Sequence, residues 1–194
     1  MAEDVLRHAK CTFDEVDAYA VACGPGSFTG IRIGVATVKG LAFGRNCPVV
    51  AISSLESLAQ NMMGIAGLIL PVIDCRRNEC YCALFRSDGE TLTRLMPDSA
   101  MAISELDAIL AEYGEEIVLV GDGYDVTERG FETTKLRYLP ERLRHQSAFS
   151  VAEVALKKYR DGETCTDAEL CVDYLRPSQA ERERAEREKQ ENKN

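Results

Sequence analysis

The run Cys23-Gly24-Pro25-Gly26-Ser27-Phe28-Thr29-Gly30-Ile31-Arg32-Ile33-Gly34 concentrates the residue types from which an anion or partner site can be built. A strand that breaks at Gly-Pro-Gly and restarts as a helix aims several free backbone N–H groups at one spot. That spot is the positive end of a helix dipole, suited to a phosphate, a carboxylate or a partner's acidic group. Glycine lets the backbone approach closely, and Ser27 or Thr29 can cap the helix. The same spacing equally serves a glycine-rich connection that packs a helix tightly on a sheet. Arg32, near the helix N-terminus, is the candidate for contact with a partner acid or bound anion; pairing within its own chain is the alternative. Gly24, Pro25, Gly26, Ser27, Phe28, Thr29, Gly30, Arg32 and Gly34 thus form a candidate interface or anion-binding loop. Asp74 and Gly121-Asp122-Gly123 stand at predicted strand ends, where α/β folds place ligand groups. With Arg76 in the adjacent turn, Asp74 and Asp122 are candidate ligand-facing residues.

Other chemistries find less support. Ser27 follows Gly26 but lacks the Gly-x-Ser-x-Gly spacing of a nucleophile elbow. A serine triad also needs a base, and only His8 and His145 are available, each in a polar setting. Of eight cysteines, Cys23, Cys47, Cys75, Cys80, Cys82 and Cys171 mostly fall in apolar patterns, where a free thiol behaves as a small hydrophobe. Cys75, Cys80 and Cys82 lie close together, and Cys80 and Cys82 share a strand face. No Cys-x-x-Cys pair or nearby histidine completes a metal set. No catalytic residue and no metal ligand is therefore assigned.

These residues need strands and helices to position them. Ala18 to Ala22 reads as a short apolar strand and Ile31 to Phe43 as a helix, with small residues at Gly30, Gly34, Thr37 and Gly40. Met1 to Lys10 reads as a helix with Val5, Leu6 and Ala9 on one side. Pro48–Ile52 is a second strand, and Ser53-Ser54 can cap a helix from Leu55 to Met63. Leu68–Ile73 and Glu79–Phe85 form a predicted hairpin around Arg76-Arg77-Asn78. Asp88-Gly89 turns into a strand at Thr91–Met96. Ile103 to Tyr113 has helical periodicity, and Ile117–Val120 is a buried strand. Ser150 can cap a helix from Val151 to Tyr159. This mixture, with no internal repeat, indicates an α/β fold. From Gln179 onward the chain is Arg/Glu-rich, with Glu183–Arg187 and Arg184–Glu188 at i,i+4 spacing. That tail suits a solvated helix or a contact with a partner.

Composition is that of an ordinary globular chain: 194 residues, 45% hydrophobic and 28% charged. Met1 to Lys10 carries charges and no apolar run, and no segment is long enough to span a bilayer. A cytoplasmic protein without a membrane partner is expected. The net charge of −9 argues against this chain being the principal reader of a nucleic acid, since gripping phosphates needs a basic surface.

The glycine run, with Ala36-Thr37-Val38-Lys39-Gly40-Leu41-Ala42 after it, resembles the TsaB (YeaZ) family, the bacterial subunit needed to make threonylcarbamoyl-adenosine in tRNA. Ile73-Asp74-Cys75-Arg76-Arg77-Asn78-Glu79-Cys80-Tyr81 is similar to that family's Asp-Ala-Arg-x-x-Glu-Val-Tyr hairpin. Tyr174-Leu175-Arg176-Pro177-Ser178-Gln179-Ala180-Glu181-Arg182 is similar to its C-terminal signature. The resemblance implies a two-lobed actin/Hsp70/sugar-kinase-like (ASKHA) fold. Residues 1–66 would form a first lobe, 67–145 a second, and 146–194 a helix and tail returning to the first. Family members open with a strand, a β-hairpin and part of a helix, so the first lobe is expected to lack roughly 40 residues here. The resemblance implies a non-catalytic scaffold that binds a TsaD-like catalytic subunit, with a TsaE-like ATPase as third member. ATP and metal are expected on those partners, tRNA mainly through them, and a homodimer when the chain is isolated. The TsaD-like enzyme holds its metal with a His-x-x-x-His pair that this chain lacks. The rival reading is a stand-alone glycoprotease-like peptidase or an ASKHA-fold nucleotide-dependent enzyme.

Overall fold

The computed structural model describes residues 1–176. Helix α1 (Ala2–Ala9) carries Glu3 and Asp4 in its first turn and Arg7 and His8 in its last, the charge order that a helix dipole favours, and buries none of its residues. A 3₁₀ turn, Phe13–Glu15, leads into β1 (Tyr19–Gly24), α2 (Phe28–Ala42) and β2 (Val49–Ser53). β1 and β2 pair in parallel, so α2 is the crossover of a βαβ unit. Then come α3 (Ser54–Gln60), β3 (Gly67–Asp74), β4 (Glu79–Ser87), β5 (Leu92–Ala102), α4 (Ile103–Ala111), β6 (Ile117–Val120), α5 (Tyr124–Gly130), β7 (Leu136–Tyr138) and α6 (Ala148–Arg160).

Two sheets result. The first lobe holds β1 and β2; the second holds five strands in the order β5-β4-β3-β6-β7. β3, β6 and β7 run parallel, whereas β4 and β5 extend the sheet as antiparallel strands. Strands β3 and β6 read as continuous apolar runs because helices cover both their faces. On one face α3 and the turn after it bring Leu55, Leu58 and Met62 against Ile69, Ile73 and Phe85. On the other, Leu106 and Leu110 of α4 pack on Leu68, Leu70, Cys80 and Cys82. The first lobe's sheet has smaller cores. Val35 and Ala42 of α2 meet Val21 and Val49, and Val154 and Ala155 of α6 meet Val50 and Ile52.

Several expectations need correction. Ser150 does not cap α6: it is a buried residue inside the helix whose hydroxyl donates to Asn61 Oδ1, and Ser147 is the cap, accepting from Phe149 N. β5 runs on to Ala102, beyond Met96, because its alternating residues continue to pair with β4. Helix α5 and the three-residue β7 lie where no element was predicted; both are too short to show periodicity. Cys171 is exposed, and all eight cysteines are free thiols. The charged tail, with Glu183–Arg187 and Arg184–Glu188, and the second half of the Tyr174–Arg182 segment lie outside the described residues. Among the described residues no helix is long and apolar enough to cross a membrane.

Candidate functional site

The glycine run turns at the end of β1, through a cis Gly24–Pro25 bond, into the first turn of α2. Ser27 is the N-cap, accepting from Gly30 N at 3.3 Å. Gly24 has φ 133°, and a side chain there would place Cβ 2.5 Å from the Asp173 carbonyl oxygen, so only glycine fits. Gly26 and Gly30 stand close behind it, while Thr29 is exposed at the start of the helix.

A cleft of ≈ 850 Å³ opens beside this loop, lined by residues from all three sequence motifs: Ser27 and Arg32, Asp74 and Arg76, Tyr174 and Arg176. Its neighbouring extension passes Ser54 and Leu58 of α3 and reaches Arg144 and His145. The β3–β4 turn is built from carboxylates accepting backbone hydrogens. Asp122 Oδ1 accepts from Asp74 N at 3.1 Å, and Asp74 Oδ1 accepts from Arg76 N at 2.7 Å. These bonds hold Arg76, Arg77 and Asn78 in three consecutive left-handed conformations, with φ 68°, 60° and 59°. Asp74 and Asp122 are thus turn-builders at strand ends as well as cleft residues. Gly121 permits that turn: a Cβ there would meet the Val72 carbonyl oxygen at 2.0 Å.

Arg32 pairs within the chain. Its guanidinium lies 3.8 Å from the Phe28 ring centroid, and its Nε donates to the Tyr174 hydroxyl. Phe28 and Tyr174 stack with centroids 5.1 Å apart. Arg176 forms an ion pair with Glu79 and donates to the Cys75 carbonyl oxygen at 3.4 Å. Burial raises the Cys75 thiol pKa, outweighing the pull of Arg176. Cys80, hydrogen-bonded to Cys82 and buried, is raised further and stays a thiol. Arg144, which lines the extension, lies over the Tyr124 ring, 3.8 Å from its centroid.

These contacts bear on the rival chemistries. The Ser27 hydroxyl serves as the cap, His8 Nδ1 lies 2.7 Å from the Asp4 carbonyl oxygen, and His145 Nε2 lies 3.9 Å from Glu141. Among the described residues no group of three His, Cys, Asp or Glu side chains could hold a metal ion.

The two faces of α2 differ. Gly34, one of the candidate interface residues, faces inward, where a Cβ would touch Val21 Cγ2 at 3.5 Å. The outward face is instead Thr29, Ile33, Ala36, Gly40 and Phe43. These alternate at spacings of four and three, the pattern of a helix-pairing seam. Ile33 is 62% and Phe43 76% exposed, and beside Gly40 there is nothing within 4 Å of a built Cβ. The inward contact of Gly34 was invisible in the sequence, which shows the small residues but not which of them the sheet takes. Four seam residues, Ile33, Ala36, Gly40 and Phe43, already lay within the predicted Ile31–Phe43 helix, and the observed start at Phe28 adds Thr29. α1 adds a second exposed apolar edge, with Val5 66% exposed.

The comparisons with known proteins carry two descriptions, TsaD for the family model and TsaB or YeaZ for the relatives and the solved structure. A family model described as "TsaD: tRNA N6-adenosine threonylcarbamoyltransferase" matches residues 1–183. The chain is 31% identical to the Haemophilus influenzae tRNA threonylcarbamoyladenosine biosynthesis protein TsaB over 188 residues, covering 91% of this chain and 77% of that one. It is 36% identical to Bacillus subtilis TsaB over 107 residues, spanning 55% of this chain and 47% of the relative. A solved Pseudomonas aeruginosa protein with similarity to peptidase YEAZ superposes with a TM-score of 0.78 at 27% identity, over 91% of this chain and 81% of that one.

Proposed function

The chain belongs to the TsaB (YeaZ) family, and on that premise we propose that it is a non-catalytic scaffold for tRNA threonylcarbamoyladenosine synthesis. It holds a TsaD-like catalytic subunit in its active arrangement through the outward seam of α2 and the exposed edge of α1. The reaction served is transfer of threonylcarbamoyl from its adenylate to N6 of adenosine 37 in tRNA. A TsaE-like ATPase completes the complex, with ATP and metal on the partner subunits. The work takes place in the cytoplasm.

The observation that carries this reading is the Thr29-Ile33-Ala36-Gly40-Phe43 seam. An exposed apolar row of this kind marks a protein-binding surface. Ile33 and Phe43 flank the small Ala36 and Gly40, an arrangement that suits a second helix lying close along the row. The net charge of −9 leaves tRNA phosphates mainly to the partners. Of the two serines that line the cleft and its extension, Ser27 serves as the helix cap and Ser54 is buried, which supports a non-catalytic role.

Isothermal titration of this chain with the TsaD-like protein of the same organism tests the proposal. The expected result is a one-to-one complex that Ile33→Asp weakens at least a hundredfold without changing the melting temperature. A wild-type chain that fails to bind, or peptide hydrolysis or nucleotide turnover by the chain alone, overturns it. The same seam can pair with a second copy when the partner is absent. Light scattering would then show a dimer that the TsaD-like protein dissolves and Ile33→Asp abolishes.

A further inference from the structure

We infer that Tyr174–Arg176 is a positioning strap: it holds the first turns of α2 against the β3–β4 hairpin and so sets the orientation in which the α2 seam meets its partner. The inference rests on the docking reading above.

The chain returns from α6 through Cys165, which bridges Val49, and buried Leu170 in the first lobe's core. Asp173 N then donates to the Cys23 carbonyl oxygen at 2.9 Å, and the Asp173 carbonyl oxygen sits tight against Gly24. Tyr174 comes next and covers Phe28, its hydroxyl taken by Arg32. Phe28 and Arg32 stand four apart on one face of α2. Each immediately precedes a seam residue, Thr29 and Ile33, so fixing the first pair fixes the rotation of the second about the helix axis.

Two residues later the strap is in the other lobe. Arg176, whose side chain is only 16% exposed, is held by Glu79 at the start of β4 and by the Cys75 carbonyl. The cleft is therefore spanned at both ends by links of different character. At one end α3 is embedded in the second lobe's core, with Leu55 and Leu58 essentially unexposed. At the other end the strap is the Tyr174–Phe28 stack, the Arg32 hydrogen bond to the Tyr174 hydroxyl, and the Arg176 ion pair and hydrogen bond to Glu79 and the Cys75 carbonyl. A link through packed apolar side chains is fixed while the protein stays folded, whereas a polar link can open locally without global unfolding. The strap is thus the connection through which the hairpin positions the docking helix.

Hydrogen exchange of the isolated chain, read by mass spectrometry, tests the strap independently of any partner. Arg176→Ala should speed exchange at the N-terminal turns of α2 at least tenfold while leaving β3 and β6 unchanged. Unchanged protection of α2 overturns the inference. Equal acceleration everywhere does so as well, because it shows a general stabilising role. With the TsaD-like protein present, Tyr174→Ala and Arg176→Ala should each weaken binding about tenfold, whereas Tyr174→Phe, which keeps the stack, stays within threefold. Wild-type affinity in both alanine variants sinks the positioning role and leaves the docking proposal standing. Absence of any wild-type complex sinks the docking proposal, with the exchange result still deciding the strap.

Discussion

The two sheets share a parallel βαβ plan, yet they use their helices differently. In the five-stranded sheet, helices close both faces, and Leu68, Ile69 and Leu70 have no accessible surface. In the two-stranded sheet, α2 and α6 each give one face to a small core and leave apolar residues outside: Ile33 and Phe43 on α2, Phe149 and Leu156 on α6. A two-stranded sheet buries too little to be stable by itself, and here it leans on α2, α6, the strap and α3. The difference teaches a division of labour, with one lobe storing stability and the other presenting surface.

The largest effect should come from breaking the storing lobe. Leu70→Ala removes a fully buried side chain and should cost ~3–5 kcal/mol in urea denaturation. Val21→Ala in the small sheet loses a smaller side chain at a 9% exposed site and should cost ~1–2 kcal/mol. Equal losses would erase the contrast between the lobes.

Asp107 sharpens the contrast through pH. Burial alone would raise its pKa, but Thr133 and Thr134 and the backbone N–H groups of residues 132–134 donate to it. These bonds outweigh burial and hold it at about 2, below its ordinary 3.8. A depressed carboxylate stabilises the fold above its unfolded pKa, and that contribution is lost as pH falls through the folded value. Roughly 2 kcal/mol should therefore disappear between about pH 4 and pH 2. The loop before β7 should loosen first, as read by exchange. Asp107→Asn should flatten this dependence; a variant that keeps the wild-type acid slope would assign the effect to other groups.

The smallest expected change lies on the presenting lobe and separates stability from docking. Gly40→Ala adds a methyl into open space on a helix and should raise stability by ~0.5–1 kcal/mol. The same methyl should weaken the TsaD-like complex by crowding the seam. Stability and affinity rising together would place the docking face elsewhere.

Much of the fold was legible from residue types. Ile117–Val120 was predicted with its observed ends, and Gly-Pro-Gly marked the strand-to-helix turn because few other residues allow those backbone angles. The hairpin around Arg76–Asn78 was readable from two apolar runs flanking a polar turn. Helix α5 and strand β7 were not, since Tyr124–Gly130 and Leu136–Tyr138 are held by their neighbours rather than by their own pattern. Asp107 was missed because a lone aspartate within an apolar helix gives no hint that the loop at 132–134 will fold onto it.

The sequence by itself determined the α/β class, the family and the three motifs, because local backbone preference and hydrophobic period are written residue by residue. Only the tertiary structure decided that those motifs converge on one cleft, that Arg32 is spent on Phe28 and Tyr174, and that Gly40 rather than Gly34 faces out. A helical period shows which residues share a face. Which face meets the sheet depends on the packing of strands and strap against the helix, and that packing is set by contacts far apart in the chain.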